Sequence, residues 1–131
     1  MMVQDKLVSS IFITFSGNCK EALQFYQTCF GGLLQFVTFD TELAGFSMLP
    51  VVTGSLIADR IVIHGSDLVH NEGRKLGNYM AIFWQCKNIN DRQELIKKLL
   101  SAKKSTFVRN DDNQELIEVT DAFDVRWVLG V

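Results

Sequence analysis

The apolar positions change period in the same order twice along the chain, and this alternation predicts its elements. Residues 10–17 (SIFITFSG) are rich in β-branched and aromatic side chains and close on a glycine, which predicts a buried strand. Helical spacing follows, with Ala22, Leu23, Tyr26, Cys29 and Phe30 on one stripe, Asn18 and Glu21 placed as a capping pair, and Gly31 as the stop. Residues 33–40 predict the next strand, 41–50 an irregular loop containing Pro50, and 52–57 and 60–66 two more strands that turn near Asp59.

Beyond a connector at 70–78 the plan repeats. NYMAIFWQC (78–86) predicts a strand, and a helix capped by Asn90 with Gln93 carries Leu95, Ile96, Leu99 and Leu100 on one stripe. Strands are predicted at 105–109, 114–120 and 125–130, with a turn at 111–113. The two helix starts lie 72 residues apart, and each unit reads strand, helix, strand, strand, strand, which is the signature of internal duplication. Both faces of 79–84 are apolar, which predicts a central strand with a helix on one side and an apolar layer or ligand cavity on the other.

Composition narrows the class. A chain of 131 residues that is 47% hydrophobic and 21% charged, with one proline, is a single globular domain and not a disordered or low-complexity one. A net charge of −2 without a basic stripe excludes nucleic acid as an expected partner. The apolar runs are too short for a membrane span, and MMVQDKLVSS lacks the layout of a signal peptide, so a soluble cytoplasmic protein with no membrane partner is expected. Cys19, Cys29 and Cys86 are odd in number and form no C-x-x-C pair, which predicts reduced thiols. Lys97, Lys98, Lys103 and Lys104 read as a solvated helix face.

Within the duplicated plan, FSGNCKEALQFYQTCFGG (15–32) resembles the first module of the vicinal oxygen chelate superfamily (glyoxalase, bleomycin resistance and dioxygenase proteins), in its PhnB-like branch. Gly17, Asn18, Cys19, Glu21, Ala22, Phe25, Tyr26, Phe30, Gly31 and Gly32 carry the match, while IVIHGSD (61–67) and EVTDAFDVRWVLG (118–130) are similar to the fourth and closing strands. The resemblance implies an α+β fold with modules at about 9–69 and 78–131, forming a cupped eight-stranded mixed sheet with helices on its outer face. It also implies a homodimer. Active members hold a divalent metal in the cup through His, Glu or Gln, leaving open positions for substrate.

Those ligand positions are altered in this chain. The first-strand histidine falls on Ile11, or on Phe12 if the register slips by one, and the closing-strand glutamate falls on Val128, with Asp124 in place of a glycine. Thr53 and Ser55 stand where the branch has the His and Glu of an H-A-E-L segment, and hydroxyls alone do not hold a catalytic divalent ion. No metal and no cofactor are therefore expected. A methyltransferase label used in the branch has no support from a G-x-G-x-x-G after a strand.

Carried inward by the same parity, Ile11, Ile13, Phe15, Thr53, Ser55, Tyr79, Ala81, Phe83, Arg126 and Val128 line the cup, and His64, on an apolar strand that points it either into the cup or at the helices, is the further candidate. This wall is mostly apolar and suits a small organic ligand. Arg126 is placed either to clamp a carboxylate or to pair with a neighbouring strand, and Trp84 and Trp127 face the helices. His64-Gly65-Ser66-Asp67 holds triad letters, but strand neighbours face opposite ways, so it predicts no triad. His70 and Asp111-Asp112 read as exposed connector and turn. Three functional classes follow. The favoured one is a metal-free member binding a small molecule in the cup. The second is a divalent-metal lyase or dioxygenase with His64 beside Asp67 or Glu118, and the third is a non-catalytic dimeric scaffold.

Overall fold

The computed structural model describes residues 9–41, 49–67, 76–77, 79–103 and 113–131, and divides into two compact units at residues 74 and 75. In the first unit β1 (Ile11–Phe15), α1 (Cys19–Phe30), β2 (Leu33–Thr38), β3 (Val51–Ile57) and β4 (Val62–Asp67) follow in order. The strands form one sheet in the order β1-β4-β3-β2, with β1 parallel to β4 and the other pairs antiparallel. The second unit holds β5 (Ile82–Gln85), α2 (Ile89–Leu100), β6 (Leu116–Thr120) and β7 (Arg126–Gly130), with sheet order β5-β7-β6. There β5 is parallel to β7, and β6 is antiparallel to it. In each unit the first strand runs parallel to the last, so the repeat extends to strand pairing.

The architecture is α+β. The eight strands expected in one cupped sheet are described as seven strands in two sheets, because the pairing closes within each unit and the run at 105–109 lies outside the described residues. The strand expected over 78–86 is shortened to Ile82–Gln85. Among the described residues it takes an end position and not a central one, with Phe83 56% exposed. An apolar run reports hydrophobicity but not the number of neighbours a strand acquires.

Alternation along the strands sorts each sheet into two faces. In the first unit Phe15, Leu56 and Ile63 are fully buried on the side covered by α1, which contributes Cys19, Ala22, Leu23 and Tyr26. Ile117, Val119, Trp127 and Leu129 form the equivalent layer of the second sheet, with Leu95 and Leu99 buried on α2. Trp127 thus lies in the core, as its parity predicts.

The helix ends correct two expectations. Asn18 does occupy the cap position of α1, but its side chain makes no cap hydrogen bond. The carboxylate of Asp67, at the end of β4, instead accepts the amides of Gly17 and Cys19 on Oδ1, each at 2.9 Å, and that of Val51 on Oδ2 at 2.8 Å. A carboxylate from 48 residues away therefore satisfies the first helical N–H and sits at the positive end of the helix dipole. Gly31 ends the helix at φ 73° and ψ −165°, a region open almost only to glycine. The cap of α2 is Asn88, two residues before the expected Asn90: its Oδ1 accepts the Asp91 amide at 2.8 Å, and Asp91 accepts that of Lys87 at 3.0 Å. In N-I-N either asparagine can cap, and the partner at Asp91 selects the first.

A second carboxylate organises the turn between β6 and β7. Buried Asp121 accepts the amides of Phe123 at 2.8 Å and Val125 at 3.1 Å on Oδ1, and the Trp127 indole N–H on Oδ2 at 2.9 Å. This turn places Asp124 at φ 68°, a left-handed position that Asp tolerates better than most residues. Fully buried Arg92 on α2 donates to the carbonyls of Gln114 at 2.9 Å and Glu115 at 3.1 Å, tying the helix to the start of β6.

Burial, reinforced by the charge of Asp67, pushes the Cys19 thiol from its ordinary 9.0 up to about 12. Between those values the unfolded chain has lost a proton that the folded chain keeps. Stability from this group is therefore complete below pH 9 and falls as pH rises toward 12. We expect denaturant midpoints to drop more steeply above pH 9 in the wild type than in Cys19→Ala; parallel slopes would contradict this. Asp67→Ala leaves three N–H groups without their acceptor and is expected to cost about 3 kcal/mol or more, lowering the melting midpoint by roughly 10 °C. A loss below about 1 kcal/mol in calorimetry would show that the carboxylate does not carry the junction.

Candidate functional site

On the first sheet, the face away from α1 is ordered in rows across the strands. Register aligns Gln35, Ser55, His64 and Phe12 from β2 to β1. On one side of this row lie Leu33, Ile57 and Val62, and on the other lie the pairs Val37 with Thr53 and Ser66 with Thr14. Successive rows are about 6.5–7 Å apart. The face thus grades from aliphatic, through a row centred on an imidazole, to hydroxyl-bearing. Ser55 Oγ and His64 Nδ1 are hydrogen-bonded at 2.8 Å and half-buried, the direction of donation depending on the ring tautomer.

The opposite face explains why this pair is held firmly. Gly54 and Gly65 face each other in the next register position, on the α1 side. A Cβ on Gly54 would lie 2.9 Å from Leu23 Cδ1, and one on Gly65 would lie 2.9 Å from Phe15 Cε2 and 3.1 Å from Cys19 Sγ. The absence of side chains there lets the helix layer press against the backbone directly behind Ser55 and His64.

The sequence-predicted site residues separate accordingly. Thr53, Ser55 and His64 share the open face of the first sheet. Ile11, Ile13 and Phe15 do not: they pair with Ile63, Gly65 and Asp67 and face α1, with Phe15 fully buried. Phe12, 60% exposed and paired with His64, is the β1 residue on the open face. Thr14 was missed for the same reason of parity, and Ser66 and Gln35 because no further residue of β4 and none of β2 was drawn into the lining. His64 itself carried the signal, since residues two apart from it on β4 and its cross-strand partners must share its face. Asp67 lies on the other face with all three of its described bonds made to amides, so it does not stand beside His64.

On the second sheet, Phe83, Arg126 and Val128 share the face away from α2, together with Glu118. Arg126 binds Glu118 Oε2 through Nε at 2.8 Å and Nη2 at 2.7 Å, and donates from Nη1 to the Met80 carbonyl at 2.8 Å. Of its two expected roles, the structure places it in the cross-strand pair. Phe83 lies over Gly130, where a Cβ would sit 3.1 Å from its Cζ. Tyr79 stands outside the described strands and is 87% exposed, and Ala81 also precedes β5.

The described donor set does not fit a divalent metal. No group of three or more His, Cys, Asp or Glu side chains is gathered among the described residues, and the open-face positions of β1 and β7 carry Phe12 and Val128. A histidine with hydroxyl neighbours lacks the additional strong donors such an ion requires.

Solved structures with this arrangement are readily found. Protein PA1353 from Pseudomonas aeruginosa superposes with a TM-score of 0.74 at 19% identity, over 95% of this chain and 97% of that one. A PhnB protein from Bacillus cereus gives 0.69 at 18% identity, over 95% and 98% of the two chains. A variant of the fosfomycin resistance protein FosX from Listeria monocytogenes, solved with Mn(II) and 1S,2S-dihydroxypropylphosphonic acid, gives 0.62 at 13% identity over 100% and 93%. The chain has the vicinal oxygen chelate fold. No protein-family model matches the sequence, and no curated protein matches it either. At these identities the shared property is the vicinal oxygen chelate fold, which hosts many chemistries.

Because Arg126 and Glu118 meet on a partly exposed sheet face, their pair is worth little. Arg126→Ala is expected to cost up to about 1 kcal/mol in urea unfolding. A loss above about 2 kcal/mol would mark the pair and the Met80 contact as structural.

Proposed function

We propose that the chain is a PhnB-like member of the vicinal oxygen chelate superfamily that works without a bound metal and binds a small organic molecule on the open face of its first sheet. One observation carries this reading: among the described residues, the face that would have to supply a metal's ligands offers a single imidazole, bonded to a serine hydroxyl, beside Phe12, Thr14, Thr53 and Ser66. The mixture of aliphatic, aromatic and hydroxyl groups matches the lining of small-molecule sites. A cytoplasmic location is part of this reading, since no disulfide joins Cys19, Cys29 or Cys86 among the described residues. A homodimer is proposed through the edge of β2, whose outer side pairs with no strand among the described residues.

Elemental analysis of purified protein, with melting curves in Mg, Mn, Fe, Ni, Zn and EDTA, tests the reading. Metal well below stoichiometric and a midpoint indifferent to chelator are expected. A near-stoichiometric metal whose removal lowers the midpoint would overturn the proposal, since a ligand specific to the folded state raises stability by mass action.

A further inference from the structure

The geometry points to a small amphipathic monocarboxylate as the ligand of this face, an inference that rests on the binding reading above. Among the described residues, His64 is the one ionisable side chain on the open face of the first sheet. Its partners across the strands are Phe12 and Ser55, while Asp67 and Cys19 lie behind the sheet on the α1 side. The face therefore carries no fixed negative charge and one group that can become positive.

The hydrogen bond to Ser55 determines what His64 can offer. When Ser55 donates to Nδ1, the neutral ring carries its proton on Nε2, and when the ring is protonated Nδ1 donates to Ser55 and Nε2 still carries a proton. In these two forms Nε2 is a donor, charged in the second; the neutral tautomer in which Nδ1 donates to Ser55 makes Nε2 an acceptor, and a bound carboxylate selects against it. A carboxylate is an acceptor only, so it complements a donor that strengthens on protonation, and the hydroxyls of Thr14, Thr53 and Ser66 in the adjacent row add further donors. The aliphatic row lies on the other side of His64, about 6.5–7 Å away, and Phe12 offers an exposed ring at the end of the imidazole row. A molecule of one acid group and a short apolar body spans these features. Arg126, the other candidate for an acid group, has its guanidinium bound to Glu118 and the Met80 carbonyl.

The test is titration of the full chain with benzoate and hexanoate against their neutral counterparts benzamide and hexanamide, followed by amide chemical shifts in NMR. Saturable shifts on β1, β3 and β4 are expected with the acids. Affinity should be about tenfold weaker in His64→Gln, whose spectrum reports whether the fold is kept. Ser55→Ala, which leaves the imidazole in place, should weaken binding less. Equal binding of acids and amides, or unchanged acid binding in a folded His64→Gln variant, would overturn the carboxylate assignment while the small-molecule reading stands. Binding of none of the four would overturn both.

Discussion

The first unit depends on one buried carboxylate. Asp67 ends β4, yet its two oxygens accept amides from the turn before α1, from the first residue of α1 and from the first residue of β3. Each bond joins a charged acceptor to a backbone donor that burial would otherwise leave unsatisfied, so removing the carboxylate exposes three separate parts of the chain to that penalty. Because Asp67 must point toward α1, Gly65 and Ile63 point there too, and His64 and Ser66 are forced to the opposite face. The placement of the only described histidine thus follows from the need to cap a helix.

That constraint also rearranges the chemistry the residues can perform. An aspartate three positions after a histidine invites a reading as a catalytic or metal-binding partner, but strand geometry puts the two on opposite sides of the sheet. What remains near His64 is Ser55, with further hydroxyls and apolar groups from neighbouring strands. The fold is shared with a resistance protein whose structure holds Mn(II). The donors on this face are of another kind, so likeness of backbone and likeness of chemistry diverge here.

The second unit solves a similar problem with different parts. Asp121 gathers two amides and an indole N–H, closing the turn before β7 and seating Trp127 in the core. Its open face carries Phe83 and the Arg126–Glu118 pair where the first unit has the imidazole row. The two units share the parallel pairing of first strand with last, while the side chains on their outer faces differ.

The order of the described elements, the helix stripes and the glycine stop at Gly31 were legible in the sequence, because each depends on local periodicity and backbone preference. So was the helix-facing role of Trp127. The parity of β1 was not, since Ile11, Phe12 and Ile13 are all apolar and a one-residue slip exchanges the faces without altering the hydrophobic pattern. The cap of α1 was equally hidden, because its acceptor lies 48 residues downstream and Asn18 offered a plausible local one. The sequence by itself determined which segments are strands and helices and how they recur. Only tertiary structure decided which face each strand shows and which groups meet, because those outcomes rest on contacts between residues far apart in the chain.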